Sequence, residues 1–509
     1  MRKIYFLLIL LIISLPIVLP TVLLFFYPST TVLEVAKLSS PPNENPNPFA
    51  DEPPTNPFLD SVWAESHRNS YCQASSPLNA PYHPEKLKFQ FLLLYDLPIT
   101  IAFSKPYPDG KRVAWVSTVG FTGKIAKIDL ENFTVIDEVK PEKHEMGISG
   151  AYSILSNFTF FVPKLDRIEA YGDRVAGNRL SKIELKRVFE IPESALCDSD
   201  EKIVGITMTY DGMIAFATSH ATVGVVSQDF RRYDVFHIGN CSERVSNSIA
   251  ADENGGIYVV TDKAMYRINW DGEKLTLGWR AEYMTGTQMA GRLGKGSGST
   301  PSLMNCGDDR FVVITDGQKL MHMVLFWRDE IPEDWKGLEG KDRRIAAEVP
   351  VTFGFETDES YSEQSVLVRN CSAVITNNRL GLRILDLLPE RFQPFSMLVS
   401  NLPGVAPYGV EKFVWDSKSR ELRKAWANKD VSFPNAIPTM SAKTNLFYAI
   451  GQRGGFWTLE AVNWESGESV WYAKVSPLPA HNSFYAATEI GPNGCIYSGT
   501  LWGIVRFCE

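Results

Sequence analysis

NWDGEKLTLGW, residues 269–279, reads as a strand, an acidic glycine turn and a second strand closed by an indole. The phrase returns as VWDSKSRELRKAW over 414–426 and as NWESGESVW over 463–471. Its turns carry Asp271-Gly272, Asp416 and Glu465-Ser466-Gly467, and its closing tryptophans are Trp279, Trp426 and Trp471. Asp, Ser and Gly adopt tight-turn geometry readily, while β-branched and aromatic residues favour strands. A strand-rich unit recurring at intervals of about 40–60 residues predicts a β-propeller.

Outward from these copies, strand-rich runs begin at Lys111, Ala151, Asp211, Gly255, Asp309, Gln364, Asn445 and Asn493. These eight marks predict an all-β body over 85–509, an eight-bladed propeller with seven blades as the alternative. The last mark, NGCIYSGTLWGIVRF, holds only two clear strands. KFQFLLLYD near Lys88 is therefore expected to close the ring, which removes exposed sheet edges. The stretches 330–354 and 388–408 read as inserted loops.

The phrase EAVNWESGESVWYAKV resembles the repeat of the quinoprotein-like (PQQ-binding-like) propellers, with Gly467 at the turn and Trp471 at the docking position. TGKIAKIDLENFTVIDEV is a weaker copy. SNSIAADENGGIYVVTDKAMYRI instead resembles repeats of the gluconolactonase, strictosidine-synthase and NHL type. The first resemblance implies a quinone cofactor under a pair of adjacent cysteines, but no Cys-Cys dipeptide occurs and PQQ is not expected. The second implies a calcium-dependent esterase or lactonase, in which oxygen ligands from several blades converge on an axial cation. Asn247, Asp316, Glu363, Asn377 and Asn482 stand near the ends of predicted inner strands and are the candidate ligands. The same residue types also end ordinary strands. A binding or scaffold module with an unknown protein or small-molecule ligand is the first reading, and the metal-dependent hydrolase is its alternative.

Other motifs are weaker. Gly291 to Thr300 is glycine-rich but lacks the phosphate-loop spacing, and His220 and His481 are lone histidines. A formal charge of −8 argues against a nucleic-acid partner, since phosphate binding needs a basic face. Met1-Arg2-Lys3 precedes an apolar run from Tyr5 to Tyr27, long enough to cross a bilayer. Residues 1–28 are expected to be a transmembrane signal-anchor, with cleavage as the alternative. Basic residues before the run place the body on the non-cytoplasmic side of the membrane. Residues 29–84, rich in proline, are expected to be an extended linker.

Seven cysteines leave at least one unpaired, and a final hairpin would set Cys495 opposite Cys508 for a disulfide. Asn132 and Asn157 open Asn-x-Thr sequons that would carry glycans in a eukaryotic lumen.

Overall fold

The computed structural model describes residues 31–509 apart from 121, 143–150, 287–291, 293 and 388–395. The expected anchor, 1–28, lies outside the described residues. Among those described, no helix is long and apolar enough to cross a membrane.

Among the described residues strands form eight sheets, seven built on four consecutive antiparallel strands and the eighth on three consecutive strands joined by Lys88–Leu93, so the ring has eight blades. The innermost strands are Leu97–Phe103, Ile154–Ser156, Ile203–Met208, Ala250–Ala251, Ser302–Cys306, Leu367–Arg369, Thr439–Ser441 and Thr488–Ile490 for blades 1 to 8. Blade 8 is closed by Lys88–Leu93 against Gly503–Cys508, pairing Phe89 with Phe507 and Leu92 with Ile504. First and last parts of the body therefore share one sheet, as KFQFLLLYD leads one to expect.

Every blade winds outward from its inner strand. Loops entering the inner strands therefore share one face, here the upper face, with the turns between second and third strands. The remaining turns lie on the lower face. All three copies of the tryptophan phrase are hairpins of third and fourth strands, at Ala264–Trp270 with Leu275–Glu282, Val410–Asp416 with Glu421–Asn428, and Phe456–Asn463 with Ser469–Ser476.

Their indoles join blades. Trp270 Nε1 donates back to Asp211 of blade 3, and Trp415 Nε1 to Asp309 of blade 5, both at 2.8 Å. Trp279 and Trp426 reach forward, to the carbonyls of Arg328 (2.9 Å) and Trp464 (3.2 Å). Each ring buries a large apolar surface while its N–H finds a partner on the next sheet. Trp471 differs: it is buried beside Tyr448 in its own blade. Gly467 turns at φ +74° under the Trp426 ring, where a Cβ would stand 2.4 Å from a ring carbon.

The linker expectation is corrected for the described part of 29–84, which belongs to the folded body. Glu34–Lys37 is a further outer strand on blade 7, pairing Glu34 with Lys474 and Lys37 with Trp471. Trp63, Ala64, Tyr71, Cys72 and Ala74 are buried, and Ser75–Ser76 pairs in parallel with the inner strand of blade 7. Proline content describes 41–57, but SVWAESHRNSYCQASS (61–76) holds apolar and hydrogen-bonding groups enough to offset its ordering.

Candidate functional site

Residues 63–76 circle the axis. Their carbonyls accept inner-strand N–H groups in blade order: Trp63 from Phe103, Ala64 from Leu155, Ser70 from Ala251 and Tyr71 from Leu303. Gln73 then accepts from Val368 and Ala74 from Met440. Blade 3 bonds instead to the Glu65 carboxylate, through Met208 N at 3.1 Å. Buried backbone donors need partners, and the segment supplies them to seven blades within twelve residues. Left-handed φ at His67, Arg68, Cys72 and Ala74 (58°, 84°, 53° and 56°) bends the chain into this tight path. Such non-glycine conformations cost of order 1–3 kcal/mol each and persist only where the surroundings impose them.

The axial groups are polar and buried. Glu65 also accepts from Ser70 Oγ (2.9 Å) and Thr207 Oγ1 (3.2 Å), yet burial pushes its pKa up to about 7. His67 meets Ser365 Oγ through Nε2 at 3.3 Å and tilts against Tyr152; burial lowers its pKa to about 4. Arg68 and Arg369 both pair with Glu52. Cys72 is the free cysteine, its thiol held well above the usual range first by burial and then by Glu65. Sequence reading missed this whole cluster. The available signal was the absence of proline from 58 to 76 and the clustering of Trp63, Glu65, His67, Arg68, Tyr71 and Cys72.

The upper face carries the largest described insertion, 377–409, between second and third strands of blade 6. Leu380, Met397 and Val405 form a small core packed on Phe484 and Tyr485 of the loop entering blade 8. Met397 O and Ser400 Oγ accept from Asn482 and Asn435 at 2.9 and 3.2 Å, so the insertion is seated across blades 7 and 8. Beside it opens a cleft of about 240 Å³, lined by Phe353, Phe355, Glu359, Asn377, Arg379 and Leu380 among others. Arg379 bonds Glu359 at 3.0 Å and grips Asp386 with both terminal nitrogens. On the insertion Ile384 is 64% exposed, Leu402 46%, Leu382 43% and Tyr408 39%, and Phe355, which lines the cleft, is 38% exposed. Five large apolar side chains are thus exposed on the upper face.

The five candidate ligands all lie on this upper face, but each is held by protein groups. Asn247 donates to Ser297 O (2.7 Å) and Asn377 to Tyr408 O (2.8 Å). Buried Glu363 pairs with buried Arg292 at 3.2 Å. Asn482 accepts from Asn435 at 2.7 Å. Asp316 accepts from His322 N (2.8 Å) and Gln318 Nε2 (2.6 Å). Of the five, Asp316 joins a set of metal-ligating type, lying with His322 and Glu348 so that one ligand atom from each falls within 4.8 Å of the others. Gln318 Nε2 bridges all three, and Lys341 Nζ bonds Glu348 at 2.7 Å. His481 lies buried against Phe89 and Phe91, and its two ring nitrogens have no hydrogen-bond partner among the described residues.

Cys495 and Cys508 form a disulfide, with Cα atoms 4.5 Å apart. Two further bridges, Cys197–Cys241 and Cys306–Cys371, were not foreseen, because their partners are 44 and 65 residues apart. The second ties blade 5 to blade 6. Asn132 and Asn157 are exposed on the lower face, where Asn157 Oδ1 accepts from Lys105 at 2.8 Å.

This geometry defines an eight-bladed β-propeller whose axis is lined by its own leading segment. Its shape matches a quinohemoprotein alcohol dehydrogenase from Comamonas testosteroni, with a TM-score of 0.55 at 11% identity over 88% of this chain and 81% of that one. It also matches a europium-containing methanol dehydrogenase, with a TM-score of 0.52 at 10% identity over 88% and 98%. At such identity the likeness is one of fold. No protein-family model matches. The chain belongs to the same family as an uncharacterised protein of Archaeoglobus fulgidus, 76% identical over 513 aligned positions and 100% of both chains.

Proposed function

We propose that this protein is a binding propeller, tethered on the non-cytoplasmic side of a membrane by its N-terminal apolar run, whose upper face receives a protein or small-molecule partner. The observation that carries this reading is the exposure of Leu382, Ile384, Leu402 and Tyr408 on the 377–409 insertion and of Phe355 in the cleft beside it. Apolar patches of this kind, rimmed by paired charges such as Arg379–Asp386, are what partner surfaces look like before they are covered. A photo-crosslinker placed at Ile384 in the full chain, in its native membrane, is expected to yield a discrete adduct that Leu402→Asp abolishes. A crosslinker at Tyr233, on the outer strand of blade 3, serves as control; equal adducts at both positions would defeat the proposal.

The quinone chemistry of the structural neighbours is not carried over. The six paired cysteines bridge across 13, 44 and 65 residues rather than as neighbours, and the mostly buried residues 63–76 run where an axial group would have to sit.

A metal-assisted hydrolase is the second reading, favoured by the Asp316, His322 and Glu348 set. Two carboxylates and an imidazole suit a divalent cation that activates water. Elemental analysis of the full chain, purified in detergent without chelator, decides it: one cation per chain, lost in His322→Ala, supports this reading.

A further inference from the structure

We infer that the rim of blade 7, at the strand Glu34–Lys37, lies against the lipid bilayer surface, so that the disc stands edge-on with both faces open to solvent. The inference rests on the tethered reading above and adds the orientation. Its first ground is chain length. The apolar run ends at Tyr27, six residues before Leu33, and a fully extended chain spans at most about 3.6 Å per residue, or about 20 Å here.

The second ground is that the chain is fixed to the body from Leu33 onward. Leu33 N bonds Lys474 O and Leu38 N bonds Val470 O, both at 2.8 Å. The Glu34 carboxylate takes Tyr472 Oη at 2.8 Å and Lys474 Nζ at 2.7 Å, and Lys37 pairs with Glu85 at 2.8 Å. The spacer that composition suggests is thus folded away, and blade 7 cannot leave the vicinity of the membrane while this strand stays paired.

The third ground is the surface itself. Leu33, Val35 and Leu38 are 45%, 38% and 49% exposed on the rim, and all three lie within eleven residues of Tyr27, where the apolar run ends in sequence. Leucine and valine at such a position gain by partial burial among headgroups and lose by facing water. The 377–409 insertion sits over blades 7 and 8, the same sector, so a partner meeting it also stands near the membrane.

The test uses the full chain in phosphatidylcholine nanodiscs containing rhodamine-headgroup lipid. A donor dye is attached at Leu38→Cys, at Val35→Cys as a second rim position, or at Tyr233→Cys on blade 3, diametrically across the ring. Transfer from either rim position is expected to be at least twice that from Tyr233→Cys. Thirty Gly/Ser residues inserted after Ser29 are expected to erase that difference. Equal transfer from rim and far side in protein that resists carbonate extraction overturns the edge-on orientation while leaving the tether in place. Release by carbonate overturns the tether, and the orientation with it.

Discussion

His481 shows what a single buried side chain costs. Burial between Phe89 and Phe91 lowers its pKa to about 4, against an ordinary 6.5, so the unfolded chain takes the proton first. Stability from this group is therefore intact above about pH 6.5 and is lost as pH falls through about 4, a total of about 3 kcal/mol. His67 acts in the same direction. Glu65 opposes them: with its pKa raised to about 7 the native state keeps a proton that the unfolded chain has released, so it subtracts stability as pH rises from about 4.5 to 7. His481→Leu is expected to hold stability at pH 7 within about 1 kcal/mol and to flatten the acid loss between pH 6.5 and 4, since no hydrogen bond is removed. Urea titrations across that range check it; an unchanged slope would mean that His481 is not the titrating group. Glu65→Gln is expected to flatten the opposite slope between pH 5 and 7 in the same measurement.

At the scale of elements, the ring closes by one sheet shared between its two ends, and the disulfide sits on that sheet. Lys88 pairs with Cys508, which is bridged to Cys495 immediately before the neighbouring strand Ile496–Thr500. A bridge closing a loop of this length stabilises by about 3 kcal/mol in the chain-entropy account. Cys495→Ser with Cys508→Ser is therefore expected to lower the midpoint of thermal unfolding without changing the circular dichroism spectrum at 25 °C. The Cys306–Cys371 bridge holds two blades rather than the seam, so reducing agent should lower the midpoint further in that double variant. No further fall would show the remaining bridges to be without effect. The tryptophan phrase is legible in sequence because both its period and its residue types are local. The indole donations to Asp211 and Asp309 are not, because each crosses to a neighbouring blade.

The whole molecule depends on a segment that composition assigns to a linker. Residues 63–76 satisfy inner-strand donors of seven blades, and losing them would leave those N–H groups lining an open channel. A chain starting at residue 85 is accordingly expected to aggregate or to unfold at much lower denaturant than one starting at residue 31. Equilibrium unfolding of the two checks this, and equal midpoints would show the axial segment to be dispensable. The same comparison bears on function, because a ligand site sought on the axis would have to displace this segment. The upper-face patch and the rim of blade 7 are free of that conflict.

Alternation, turn residues and the repeated tryptophan phrase are properties of consecutive residues, so the all-β class, the eight blades and the strand that closes the ring could be read from the chain alone. The candidate site was legible only in part. Asp316 was found because it ends a strand, but His322 and Glu348 come to it through a turn and a neighbouring strand. Asn247, Glu363, Asn377 and Asn482 stand near strand ends, which the sequence marks, but the protein groups that hold their side chains do not follow from those strand ends. The path of residues 63–76, the two long-range disulfides and the seating of the 377–409 insertion are tertiary decisions. Each depends on backbone groups or side chains brought together across blades, where the partner's identity and distance along the chain leave no periodic mark.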